Sequence, residues 1–124
     1  MAPLSFVAAA LGHRNTRTWC GDSLRRIRDF PEEARHKAGH QLNRVQHGID
    51  PEDWKPMPTV GLSVREIRIH EEGEFRVLYL AKFAEAVYVL HAFSKKTRKT
   101  PKRDLELASE RFRAVIEERK RQQR

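Results

Sequence analysis

The sequence predicts an α+β fold, a small antiparallel (mixed) sheet with two N-terminal helices packed on it and a C-terminal helix. Three observations lead there. Residues 64–94 hold three runs rich in β-branched and aromatic residues, joined by short polar links. Residues 23–49 and 101–118 carry apolar stripes at helical spacing. Glycine or proline marks the joins, at Gly21, Pro31, Gly48, Gly73 and Pro101.

Taken in order, "NTRTWCGDS" (15–23) reads as a short first strand ending at Gly21-Asp22. Asp22 or Ser23 then caps a short helix that presents Leu24, Ile27 and Phe30. Pro31 restarts the chain, and Glu32 and Glu33 sit in the first turn of a second helix, where acids favour the dipole. Ala34, Ala38, Leu42, Val45 and Ile49 form its stripe, and Gly48 stops it. "DPEDWKPMPTVG" (50–61) is expected to be a loop without regular structure, because three prolines and a glycine interrupt it, with Trp54 as an anchor on the sheet edge.

"VREIRIH" (64–70) alternates, with Arg65, Ile67 and Ile69 on one face and Val64, Glu66, Arg68 and His70 on the other. "FRVLYLAKF" (75–83) and "AVYVLHAFS" (86–94) read as central strands covered on both sides. Thr100 as N-cap and Pro101 as first helical residue open a last helix, with Leu105, Ala108, Phe112, Val115 and Ile116 on one face and fraying beyond Glu118. The expected organisation is an extension over 1–14, one domain over 15–120 and a frayed tail over 121–124.

Charge and composition narrow the function classes. The chain has 124 residues and a formal net charge of +8. Lys95, Lys96, Arg98, Lys99, Lys102 and Arg103 crowd into residues 95–103 with no acid among them. Without these six, 19 basic residues face 17 acidic ones, a net of +2, so the excess sits in one stretch as a polyanion site requires. The bland alternative is a solvated basic loop. Cys20 is the single cysteine, which excludes an intrachain disulfide and a cysteine zinc site and fits a reducing cytoplasm. His36, His40 and His47 share one side of their helix, opposite the apolar stripe and without a partnering acid, so no metal and no cofactor is expected. "MAPLSFVAAALG" is too short to span a bilayer, and Arg14 and Arg17 follow it on the wrong side for a secretory signal.

Strand pairing converts these runs into a surface. If Ala84-Glu85 is a two-residue turn, Phe83 pairs with Ala86, Leu78 lies opposite His91 and Arg76 opposite Phe93. Arg76, His91, Phe93 and Lys95 then share one face at one end of the sheet. A one-residue slip would exchange Phe93 for Ser94 and Lys95 for Lys96. If "EEG" (71–73) is a three-residue loop with Gly73 left-handed, His70 pairs with Glu74 and Arg68 lies opposite Arg76. A two- or four-residue loop would place Ile69 there instead. Guanidiniums grip phosphate in a fork, an aromatic ring stacks on an unpaired base, and histidine moves a proton near neutrality. Taken singly, His91 reads as a satisfied histidine, Phe93 as core and Arg76 as surface. Their convergence beside the basic run is what suggests a site.

Residues 19–114, above all "DWKPM", "VREIRI", "FRVLY", "VYVLH" and "FSKKTRKT", resemble the phage-derived Gp49-like, HigB-like branch of the RelE/ParE toxin superfamily. The resemblance implies the RelE-like form of the fold above and a toxin of a type II toxin–antitoxin pair. It implies a metal-independent endoribonuclease that cuts mRNA at the ribosome and inhibits translation. Its partners would be mRNA, the ribosome and a helix-turn-helix antitoxin, with no membrane and no small-molecule cofactor. Arg76 then matches the family's phosphate-contacting arginine, Arg68 a second-strand basic residue, and Lys95 and Lys96 the basic pair after the last strand. His91 is the proton-transfer residue that the resemblance implies. Arg68, Arg76, His91 and Lys96 make the catalytic set, and Arg65, Phe93, Lys95, Arg98 and Lys99 the RNA- and phosphate-binding set. RelE-like members use a C-terminal tyrosine that Thr100-Pro101-Lys102 does not supply, which leaves the general base open between His91 and a lysine. Two other readings stand beside this one: a ParE-like poison of a protein target such as gyrase, without RNA cleavage, and an inactive prophage remnant that binds an antitoxin.

Overall fold

The computed structural model describes residues 16–123, so the expected extension over 1–14 lies outside the described residues. The elements are β1 (Thr16–Trp19), α1 (Ser23–Arg28), α2 (Glu32–Gln46), β2 (Trp54–Pro56), β3 (Val64–Ile69), β4 (Phe75–Leu80), β5 (Ala86–Ser94) and α3 (Lys102–Gln122). They form the expected α+β architecture, a mixed five-stranded sheet in the order β1-β5-β4-β3-β2. β1 runs parallel to β5, and the other neighbours are antiparallel. β4 lies in the middle, and all six of its residues are buried, as a strand covered on both faces requires.

Helices α1 and α2 cover one face. Ile27, Ala34, Ala38, Leu42 and Val45 meet Ile67, Ile69, Val77, Tyr79, Val87 and Val89 there. α3 covers part of the other face, where Ala108 and Val115, with Leu105 and Phe112, pack against Leu78, Leu80, Leu90 and Phe93. The 57–61 segment completes that second cluster through Met57 and Val60. Gly61 lies directly under the Phe112 ring, which would collide with any Cβ there.

Helix ends follow the sequence closely. Gly48 has φ 77°, and the bonds from Ile49 N–H to Arg44 C=O and from Gly48 N–H to Val45 C=O form a Schellman stop. This stop turns Ile49 out of the stripe, and it is 49% exposed instead of packed. α3 begins one residue later than expected, with Pro101 and not Thr100 at the cap position. It also runs past Glu118 to Gln122, because Arg119 binds Glu85 at 2.7 Å and stacks over Phe83 at 3.5 Å.

Two strand expectations need correction. Residues 54–56 are a strand and not a loop, pairing Trp54 with Ile67 and Lys55 with Glu66. Pro56 is tolerated because β2 is an edge strand of three residues, where a missing N–H leaves no ladder broken. The β4–β5 connection is likewise no two-residue turn. β4 ends at Leu80, and Phe83 turns toward Tyr88 and Arg119. Near the turn Leu80 pairs with Tyr88 and Tyr79 with Val89; beyond it Leu78 pairs with His91 and Arg76 with Phe93. The extra residue, Leu90, is a β-bulge. It lets Val87, Val89 and Ala92 all face α1 and α2 although strict alternation would send Ala92 to the other side. The bulge cancels the error in the turn, so the expected register holds at the end that matters.

Candidate functional site

The hairpin between β3 and β4 has the expected three-residue loop. Gly73 has φ 133°, joined by Glu72 at 56°. Arg68 therefore lies opposite Arg76, and Arg76 is flanked on its other side by Phe93. Lys95 extends the ladder by one rung, its N–H donating to Glu74 C=O at 2.7 Å. Arg68, Arg76, Phe93 and Lys95 share one end of the sheet, on the face that α3 covers in part.

Arg76 is held in place rather than free. It is 4% exposed. Its Nη1 donates to Phe75 C=O at 2.9 Å and its Nη2 to Glu74 Oε1 at 3.1 Å. On the inner side its Nε stands 3.7 Å from Glu66 Oε1. Glu66 is fully buried, with Lys55 Nζ 3.9 Å away. Neither oxygen of Glu66 accepts a hydrogen bond, and Nε of Arg68 and Nε of Arg76 find no acceptor. Buried polar atoms are nearly always partnered, so four orphans in one cluster mark a place where the fold gives up stability.

The rim carries a second unexpected group. His70 Nδ1 meets Glu74 at 2.8 Å, and its Nε2 meets Asp53 Oδ2 at 2.7 Å. These two bonds raise the imidazole pKa against a small opposing effect of burial, because only the imidazolium donates to both carboxylates. Through Glu74 this pair continues to Arg76.

His91 stands apart from that cluster in its chemistry. It is fully buried beneath α3 and stacks on Phe93 with ring centroids 5.4 Å apart. Its Nε2 bonds Asp104 Oδ1 at 2.7 Å, and Arg111 Nη1 lies 3.3 Å from its Nδ1. An arginine can only donate, so Nδ1 accepts and the proton sits on Nε2. Burial lowers the pKa of His91 and outweighs the opposing pull of Asp104; Arg26 and Arg111 add to the lowering. Arg111 also donates to Leu90 C=O at 3.0 Å and to Asp22 Oδ1 at 2.7 Å. Burial pushes the Asp22 carboxyl up, but its bonds from Arg111 and Arg26 prevail and bring it down to about 2.

The remaining site candidates divide in two. Lys95 is half-buried and Lys96, Arg98 and Lys99 are exposed, and among the described residues none of the four forms an ion pair. Their charge is unspent, whereas Arg65 lies on the opposite face, bound to Asp50 at 2.9 Å and stacked 3.9 Å over Trp54. Phe93 is buried, with one side already taken by His91. Glu66, His70, Asp104 and Arg111 are not in the sequence-derived set. Glu66 and Lys55 could have been paired from sequence had "WKP" been read as an edge strand. Asp104 and Arg111 lie on the covered side of α3 at a spacing that carries no sequence signal.

Comparison with known families now adds one finding. The family described as phage derived protein Gp49-like (DUF891) matches residues 25–113, well over half of the chain. The protein is an α+β domain with a mixed sheet between N- and C-terminal helices. It belongs to the Gp49-like family. A search of curated proteins returns no match. Among the described residues no group of three or more potential metal ligands occurs, and no helix is long and apolar enough to cross a membrane.

Proposed function

We propose that this protein is the toxin of a type II toxin–antitoxin pair and acts as a metal-independent endoribonuclease on mRNA at the ribosome, in the cytoplasm. One observation carries the reading: two guanidiniums on adjacent strands, Arg68 and Arg76, lie opposite one another, each with an Nε that makes no hydrogen bond, beside four cations without an ion-pair partner among the described residues. That arrangement suits a phosphodiester and the dianionic phosphorane formed from it better than any neutral ligand. Arg76 stabilises the phosphorane that forms when a 2′-hydroxyl, giving up its proton to solvent water, attacks the adjacent phosphorus through its oxygen. Glu74 and Glu66 hold Arg76 from two sides and fix its plane. Arg68, Lys95, Arg98 and Lys99 bind neighbouring phosphates, and the ammonium of Lys96 protonates the departing 5′-oxygen. The products are a 2′,3′-cyclic phosphate and a free 5′-hydroxyl. His91 has both nitrogens engaged, which favours lysine over histidine as the proton donor and makes His91 the support of Phe93 and α3. A helix-turn-helix antitoxin would neutralise the protein.

Mapping mRNA 5′ ends after induction tests this. Wild type is expected to produce new codon-phased cuts, and Arg76→Ala to reduce them by about 10²–10³-fold, the usual loss for one transition-state donor. Equal cutting by Arg76→Ala would overturn the site. Growth arrest with intact mRNA would favour a poison of a protein target, a reading that the burial of Arg76 and His91 keeps in play.

A further inference from the structure

The edge of β5 beyond β1 forms a second feature, which shares Phe93 with the cluster around Arg76. β1 accompanies β5 only as far as the Trp19–Val89 rung. Beyond it, α1 lies beside the edge that β1 leaves unpaired, anchored by Ser23 Oγ donating to Val89 C=O at 3.0 Å. Between α1 and residues 92–94 is a cavity of about 270 Å³. Phe30, Phe75 and Phe93 line it, and Arg25, Arg26 and Asp29 stand on its α1 side. Its volume lies just under the ~300–1,000 Å³ of pockets for drug-sized ligands, which suits one planar ring system.

The surroundings select the ligand. Aromatic walls take the flat face of a ring, and polar groups read its edge. Arg25 is a cation at the solvent side, its side chain 67% exposed and its bonds to Asp22 and Asp29 on the surface, where a phosphate can compete for it. The chain leaves this cavity at Ser94 and runs directly into Lys95 and Lys96, both without an ion-pair partner among the described residues. An aromatic cavity, a cationic mouth and a cationic path leading away match a base, its own phosphate and the phosphates that follow.

We propose that this cavity is a nucleobase subsite that holds one unpaired RNA base, with its phosphate on Arg25 and the strand continuing over Lys95 and Lys96. The subsite rests on the RNA reading above, and it separates from that reading because binding is measured without cleavage. The experiment is titration of the isotopically labelled protein with each 5′-ribonucleotide (AMP, GMP, CMP, UMP) and with ribose 5-phosphate, following the amide signals of Ala92, Phe93 and Ser94. At least one nucleotide is expected to shift these amides saturably and to bind about ten-fold or more tightly than ribose 5-phosphate, the gain from stacking. Arg25→Ala, at an exposed position, should weaken the nucleotide by about five-fold while leaving the spectrum otherwise intact. Ser94→Trp should abolish the shifts by filling the mouth from the surface. Equal binding of ribose 5-phosphate would reduce the cavity to an anion site and overturn the proposal, as would nucleotide shifts confined to residues 95–99. Nucleotide binding here in a protein that cuts no mRNA would sustain the subsite and defeat the endoribonuclease; cutting with these amides silent would do the reverse.

Discussion

Two clusters share one face of one sheet and are built to opposite rules. Beneath α3, His91, Asp104, Arg111 and Asp22 form a closed chain in which each bonding group has a partner, at 2.7 to 3.3 Å. A few residues away, Glu66, Arg68 and Arg76 leave four buried polar atoms without one. A saturated network fixes one arrangement and has nothing left to offer a ligand. An unsaturated one is costly to the empty protein, and the cost falls when a ligand supplies the missing bonds. The contrast supports a folding role for the first cluster and, on the proposed function, a binding role for the second, although the histidine that the family resemblance implies for proton transfer lies in the first.

The largest effect should come from breaking the closed chain. Arg111→Ala removes donors to Leu90, His91 and Asp22 together and is expected to cost about 3 kcal/mol in urea unfolding, as loss of one partner in a buried charged network does. A loss below about 1 kcal/mol would break the comparison, since the network would then not pin α3. Glu66→Gln tests the other side. It removes a buried charge that makes no hydrogen bond but stands 3.7 Å from Arg76 and 3.9 Å from Lys55, so stability should fall by less than in Arg111→Ala, while RNA cleavage falls at least about ten-fold through a misplaced Arg76. A large destabilisation without loss of activity would reverse the assignment.

Acidity sharpens the contrast further. The His91 pKa lies below its unfolded value, so the unfolded chain takes up the proton first, and this contribution to stability is lost as pH falls below about 6.5. The His70 pKa is raised, so its contribution is complete below about 6.5 and is lost as pH rises through its folded value. Imidazole titration by NMR should therefore find His91 below the ordinary value and His70 above it; the reverse order would undo the burial of His91 and the two carboxylate bonds of His70. The smallest effect on stability belongs to the basic loop. Lys96→Ala, Arg98→Ala and Lys99→Ala should each change unfolding by less than about 0.5 kcal/mol. Each should nevertheless lower the slope of log K for RNA against log salt by about 1. An unchanged slope would show that these cations do not touch phosphate.

Much of this was legible in the residues. The helical stripes, the Gly48 stop and the alternation of "VREIRI" each depend on local spacing, and each appears where that spacing puts it apart from the displaced Ile49. The pairing of Arg68 with Arg76 was legible because a short hairpin loop sets register by geometry. Edge strand β2 was not, since a strand of three residues is made by the neighbour it pairs with rather than by its own propensity.

The sequence by itself determined which residues could lie in one strand or on one helix face, because periods of 2.0 and 3.6 residues act within a single element. It also determined that the excess charge is concentrated at 95–103. Only the tertiary structure decided what each polar group meets. The bulge at Leu90, Asp104 and Arg111 closing over His91, and the burial of Glu66 beside Arg76 all join residues far apart in the chain. Hydrogen bonding and desolvation act over a few ångströms in space, and no local pattern along the chain encodes them.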